Sequence, residues 1–258
     1  MSTDPADVAK IIKLADGFYV RQEVDNMGWI DLGEFAVVVD ALEQGHLEQE
    51  VLVAIAQTLP GRKVKYVLNT HTHYDHMALN AAFVRRYGAE VVNQSTSRIP
   101  SEGRWFEGPR RRLLMLPMPD CHTDEDCVVW APGEKVLFVG DIFGWGLIPL
   151  SGPLDAESAA LLVETYTRLI DFGADVVVPG HGPLCSTAEL KRWVEYFRWL
   201  IAETVRLVRD GSKDGQIERE LAAPADMRQW WRFLQWKHAD SLEKVVRAVR
   251  RGQLTSPP

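Results

Sequence analysis

The chain of 258 residues contains only three cysteines, Cys121, Cys127 and Cys185. They are too few, and odd in number, for a disulfide framework, which excludes the small secreted scaffolds and points to a reducing compartment. Long apolar runs are missing as well: no stretch approaches the roughly 18 consecutive apolar residues of a membrane span. The opening segment, Met1–Lys10, is polar and lacks the apolar stretch of an export signal. A soluble, cytoplasmic protein with no membrane partner is therefore expected. Positive charge is scarce, with 29 Lys plus Arg against 36 Asp plus Glu and a net charge of −7. Such a balance opposes any partner held through phosphates, so nucleic acid is excluded from the expected partners. There is no low-complexity tract and no internal repeat at periods of roughly 20 to 50 residues. What remains is an ordinary globular composition, 46% hydrophobic and 25% charged, whose stability must come from a core.

Along the chain, short β-rich runs at Gly17–Val20 and Phe35–Val39 are separated by the turn-rich Asp25–Gly28 and Asp31–Glu34, which predicts an antiparallel meander. Leu47–Leu59 has helical spacing and is stopped by Pro60-Gly61 before the buried-strand run Val64–Leu68. A helix is expected over His76–Tyr87, closed by Gly88, with a strand at Glu90–Asn93. Gln94–Arg112 is broken by Pro100, Gly103, Gly108 and Pro109 and reads as a long surface loop or short helix. A hairpin is expected at Cys127–Trp130 and Lys135–Val139. It is followed by a helix over Ala156–Phe172, a strand over Ala174–Val178, and a long helix from the capping box at Ser186 to Arg209. The tail beyond is expected to be helical. Helix and strand alternating in this way predict a layered α/β sandwich.

The densest chemistry lies in Asn69-Thr70-His71-Thr72-His73-Tyr74-Asp75-His76, directly after a predicted buried strand. His71, His73, Asp75 and His76 can be aimed into one concavity from such a loop, and imidazole plus carboxylate is a ligand set suited to zinc. A solvated His-rich loop is the bland alternative, and the strand and the interposed carboxylate argue against it. Three further candidates stand at loop positions: His122, Asp141 at a strand end, and His181 after another strand. Each alone reads as a surface histidine or a turn-capping Asp. Together they give five of the seven histidines and two carboxylates, a set that suits two adjacent metal ions sharing one ligand.

With HTHYDH at 71–76 followed by His122, Asp141 and His181 in order, the chain resembles the metallo-β-lactamase fold superfamily over roughly residues 13–185. The resemblance implies a four-layer αββα sandwich, here with extra C-terminal helices: a catalytic domain over 1–210 and a helical extension over 211–258 packed on it. It implies that His71, His73 and His122 hold a first metal, Asp75, His76 and His181 a second, and that Asp141 bridges them. Two Zn2+ per chain are expected, iron or manganese being the other ions such ligands accept. A dinuclear metal-bound hydroxide would be the nucleophile, with Asp75 hydrogen-bonding it and receiving a proton as the catalytic residue. Cys121 stands where the superfamily usually has Gly and reads as a tolerated substitution.

The function implied is hydrolysis of a small ester-, thioester-, lactone- or amide-like substrate. True β-lactamase activity ranks lower, because no cysteine lies near Asp141 in sequence. Glutathione thioesters also rank lower, since Ala78 and Leu79 replace the two glycines that glyoxalase-II-like enzymes usually carry after the motif. Lactonase activity is demoted, because no later-loop Tyr can be placed. Two readings from other classes stay open: a mononuclear iron oxygenase resembling the persulfide dioxygenases, built on His71, His73 and His122, and a binding protein on an inactivated scaffold. The apolar, glycine-hinged segment Ile142–Leu150 offers Phe143, Trp145 and Ile148 as substrate-binding residues, with core packing as the competing role. Arg110-Arg111-Arg112 reads as a solvated face. The aromatic run Trp230–Trp236 reads as a packing face against the long helix or against a homodimer partner, through the C-terminal helices.

Overall fold

The computed structural model describes residues 9–258; the polar opening segment therefore lies almost wholly outside the described residues. The chain divides into two compact units, the first made of residues through Pro119, Glu125–Gly140 and Ala174–Leu184, the second of Asp120–Asp124, Asp141–Gly173 and Cys185–Pro258. No described helix is long and apolar enough to cross a membrane.

The first unit carries both sheets. The predicted meander forms as β1 (Lys10–Ala15), β2 (Phe18–Gln22), β3 (Met27–Asp31) and β4 (Ala36–Val39), all antiparallel. Helix α1 (Glu48–Thr58) then crosses over so that β5 (Val64–Leu68) pairs parallel with β4. Helix α2 (Asn80–Tyr87) and β6 (Glu90–Val92), parallel to β5, complete a six-stranded sheet in sequence order. Strands β3 and β4 are buried throughout, and their period of two divides them between two cores. Met27, Trp29, Ala36 and Val38 pack with Val51 and Ile55 of α1 and Phe83 of α2. Ile30, Val37 and Val39 face a second sheet through Phe106, Leu113, Met115, Val129 and Phe138.

That second sheet contains a correction to the sequence reading. Gln94–Arg112 is not a surface loop: after the short helix α3 (Gln94–Ser97) it forms β7 (Arg104–Glu107) and leads into β8 (Arg112–Pro117). With β9 (Cys127–Ala131), β10 (Val136–Gly140) and β11 (Val176–Pro179), these make a five-stranded sheet in the order β11-β10-β9-β8-β7. Strand β7 is an edge with half-buried Arg104, exposed Trp105 and Glu107, and a single buried residue, Phe106. The arginine triplet is also more than a solvated face. Arg110 pairs with Asp31 at 2.9 Å, and Arg111, only 8% exposed, pairs with Glu134 at 2.8 Å, so both guanidiniums tie loops of this unit together.

Helix α2 starts at Asn80 rather than His76. The backbone of 76–79 is claimed by the loop after β4: His76 O accepts from Ala41 N, and the N–H groups of Ala78 and Leu79 donate to Leu42 and Ala41. Asp40 and Leu42 adopt left-handed φ values of 57° and 56° to make this possible.

The second unit is helical. Capping boxes at Asp155 and Ser186 open α4 (Ala156–Asp171) and α5 (Thr187–Arg209). The helices α6 (Asp214–Glu220) and α7 (Leu234–Arg250) follow. Tyr166 of α4 stacks on Trp193 of α5 at 4.0 Å, and Trp193 on Phe197 at 5.0 Å. Helix α7 is fixed to α5 through His238. Its Nε2 donates to Leu221 O at 2.7 Å, so its Nδ1 accepts from the Tyr196 hydroxyl at 2.8 Å. Trp230 packs on Phe143 and Trp145.

Gly28 shows how closely the two sheets approach. A Cβ added there would lie 2.4 Å from Cζ of Phe138, whose ring stacks on Phe18. Gly28→Ala is therefore expected to cost about 1–3 kcal/mol through overpacking. The check is a lower urea midpoint at unchanged m-value; an unchanged midpoint would mean that the ring slides aside freely.

Candidate metal centre

In the first unit the ligand-type residues stand on loops at the C-terminal ends of strands. Strand β5 runs into Asn69-Thr70-His71, a 3₁₀ turn holds Tyr74–His76, and β11 runs into Gly180-His181. His71 and His76 are buried, at 1% and 0% exposure. The ring of His71 lies 4.7 Å from that of His73 and 4.2 Å from that of His76, and His76 lies 5.3 Å from His181. Asp75 Oδ2 is 3.3 Å from His181 Nε2. Five of the seven residues singled out in the sequence are thus gathered within this unit.

The second unit holds the other two. His122 Nε2 and Asp141 Oδ2 are 3.7 Å apart. The loop beyond Asp141 grips His122 twice: Pro149 O accepts from its Nδ1 at 2.8 Å, and the Ser151 hydroxyl donates to its carbonyl.

What makes these imidazoles fit a metal is the far side of each ring. A carbonyl or carboxylate on Nδ1 fixes the tautomer with Nε2 as the ligand nitrogen and raises its basicity. His122 has Pro149 O; His181 has Asp25 Oδ1 at 3.0 Å. His76 Nδ1 lies 3.1 Å from Asp40 Oδ2. His71 Nδ1 meets the Thr70 hydroxyl at 3.2 Å, and that hydroxyl in turn donates to Asp40 at 3.0–3.1 Å. Borderline-soft imidazole nitrogens together with hard carboxylate oxygens suit a divalent ion of the zinc type.

Asp40 and Asp25 were absent from the sequence reading. Asp25 looked like a turn residue, and its neighbour Asn26 clamps the His181 loop, its amide donating to Pro179 O and Gly182 O at 2.8 and 2.7 Å. Asp40 follows the end of β4 just as Asp141 follows the end of β10, and that position was the available signal. The proposed substrate-binding residues Phe143, Trp145 and Ile148 are 1%, 4% and 0% exposed, and the first two form an aromatic cluster of the second unit with Trp230. Cys121 is buried.

A match to the metallo-beta-lactamase superfamily covers residues 21–117 and 92–181. The chain belongs to the metallo-beta-lactamase superfamily. It is 24% identical over 196 residues to the hydroxyacylglutathione hydrolase of Rhizobium meliloti (strain 1021), an alignment covering 72% of this chain and 69% of that protein. Among solved structures, a metallo-beta-lactamase from Pontibacter korlensis superposes with a TM-score of 0.59 at 23% identity, over 71% of this chain and 96% of the other. The stereoselective inverting sec-alkylsulfatase Pisa1 from Pseudomonas sp. gives 0.69 at 15% identity, over 93% of this chain and 50% of that one. Both superpositions show a shared fold. As a superfamily member with His and Asp groups that could bind a metal, the chain is a metal-dependent hydrolase.

Two variants test the surroundings of the centre. Asp40→Asn keeps the shape and tolerates the left-handed backbone but loses the carboxylate behind His76 and Thr70. Metal affinity, read by competition with a chromophoric chelator, should fall about 10- to 100-fold, and unchanged affinity would remove Asp40 from the support. Lys237 on α7 is 6% exposed, and burial pushes its amine down from 10.5 to about 8, against the upward pull of Asp141 and Asp240. The unfolded chain then binds the extra proton between those values, so stability rises as pH climbs from about 8 to 10.5. Lys237→Met should accordingly melt higher than the native protein at pH 7, by up to about 3 kcal/mol. That advantage should vanish near pH 10.5 in thermal scans of metal-free protein.

Proposed function

We propose that the chain hydrolyses a small thioester, with esters, lactones and amides as the adjoining substrate classes, at a centre of two zinc ions. The observation that carries this reading is the donor set, in which four imidazoles have an oxygen partner at Nδ1 and two carboxylates accompany them. His71, His73 and His122 would hold one ion and Asp75, His76 and His181 the other, with Asp141 shared, as the resemblance to the superfamily implies. When bound, two such ions supply an activated water at neutral pH and polarise the substrate carbonyl. Asp75 would hydrogen-bond the attacking water and take its proton. Thioesters come first because the relative from Rhizobium meliloti is a hydroxyacylglutathione hydrolase. They also need little help in departure: a thiol of ordinary pKa about 8.5 leaves readily as thiolate, so no strong acid is required beside it.

A small-molecule partner agrees with the net charge of −7 and with Arg110 and Arg111 being engaged by the chain's own carboxylates. An intracellular setting agrees with three thiols in no disulfide.

Protein purified without chelator should contain about two zinc ions per chain by elemental analysis. Assayed against thioester, lactone, ester, amide and β-lactam probes, it should turn over a thioester fastest. The rate should rise with pH through about 7, vanish with chelator and return with zinc. One iron and no zinc, with oxygen consumed on a persulfide probe, would replace hydrolysis by oxygenation.

A further inference from the structure

The segment after Asp141 contains a conformation that packing alone does not require. Gly144-Trp145-Gly146-Leu147 closes a tight turn: Leu147 N donates to Gly144 O at 3.3 Å, and the two ends form an isolated antiparallel bridge. Both central residues have positive φ, 54° at Trp145 and 98° at Gly146. Glycine is at home there, and Asn or Asp is tolerated, but a bulky aromatic residue in the left-handed region is strained. The turn stays in place because its surroundings over-determine it. Ser241 of α7 donates to Gly146 O at 3.0 Å and accepts from Ile148 N at 2.7 Å, and Trp193 donates to Leu147 O at 3.1 Å. The flanking glycines leave no slack, since a Cβ at Gly144 would meet Leu147 at 2.9 Å and one at Gly146 would meet Leu234 at 2.8 Å.

The ring held by this turn is 4% exposed, 5.0 Å from Phe143 and 5.6 Å from Trp230. Its Nε1–H is buried and has no acceptor among the described residues. The other buried indole of this unit, Trp193, has one. A buried donor without an acceptor destabilises the fold. Strain and an unmet donor on one residue, four positions after Asp141, are the combination found where a ligand completes the structure.

We propose that Trp145 is a specificity-determining residue whose indole N–H donates a hydrogen bond to an acceptor oxygen of the substrate's acyl group. This rests on the hydrolase reading above and adds the group that discriminates among its substrates. An acyl chain with an oxygen acceptor, such as a hydroxyacyl group, satisfies the donor; a plain alkyl acyl chain leaves it unmet and is bound less well.

The decisive variant is Trp145→Phe, which removes the donor and keeps an aromatic, though smaller, ring between Phe143 and Trp230. Zinc-loaded native and variant proteins are compared on hydroxyacyl and alkanoyl versions of each thioester, lactone and ester probe. The native protein should prefer the hydroxyacyl version, and the variant should lose about tenfold in kcat/KM on it while the alkanoyl version changes little. Metal content should be equal. The indole 15N–1H signal missing from the variant's spectrum identifies Trp145, and in the native protein it should move when the free hydroxy acid is added. Equal preference in both proteins, or an indole signal unmoved while others shift, would overturn the proposal. Failure of the thioester reading shows separately, as native protein inactive on thioesters but active on another probe. With no probe turned over, the indole signal still decides.

Discussion

An imidazole is a predictable metal ligand only when one of its nitrogens is already engaged, and the first unit is arranged around that requirement. Asp40 does most of this work. Its carboxylate accepts from Thr70 N at 2.8 Å and from the Thr70 hydroxyl, which backs His71, and it lies 3.1 Å from His76. A 3%-exposed carboxylate is tolerable only with such partners. The adjacent loop residues 41 and 42 accept and donate the backbone hydrogen bonds that hold 76–79 out of helix α2. Backbone geometry and ligand orientation therefore share one short loop.

The candidate ligands were legible in the sequence because their residue types are rare and close together: four of the seven sit within 71–76. The residues behind them were not. Asp25 and Asp40 are carboxylates in turn-like contexts, where Asp is common for reasons unrelated to metals, and what distinguishes them is proximity across the fold to His181 and Thr70. The same reasoning explains the structural misses. Strand β7 has one buried residue in four, too few for a period-two signal. The early start assigned to α2 failed because tertiary hydrogen bonds from 41 and 42, invisible locally, claim its first turn. Elements with strong periodicity or explicit caps, such as α4 and α5 with their capping boxes, were read nearly to the residue.

In the second unit the chain beyond Asp141 has no regular structure of its own until α4, and helix α7 supplies the order. Ser241 and Lys244, three positions apart on one face, hold the carbonyls of Gly146, Ile148 and Leu150. The C-terminal helix thus acts as a splint for the segment that contains both Asp141 and the Pro149 carbonyl behind His122. A helical tail that seemed peripheral to the chemistry sets the position of residues nearly a hundred positions earlier.

The left-handed turn at Asp40 and Leu42 has a kinetic meaning beyond geometry. Because the loop is locked by backbone hydrogen bonds rather than by an ion, His71 and His76 are oriented as soon as this unit folds. An arriving cation then meets rigid ligands and need not organise a coil, so little conformational entropy is lost at capture. In the reading proposed above, ion exchange at these two histidines would be governed by dehydration of the metal and by breaking coordinate bonds. This separates them from zinc-finger-like sites, where release of the metal and unfolding of the chain are the same event.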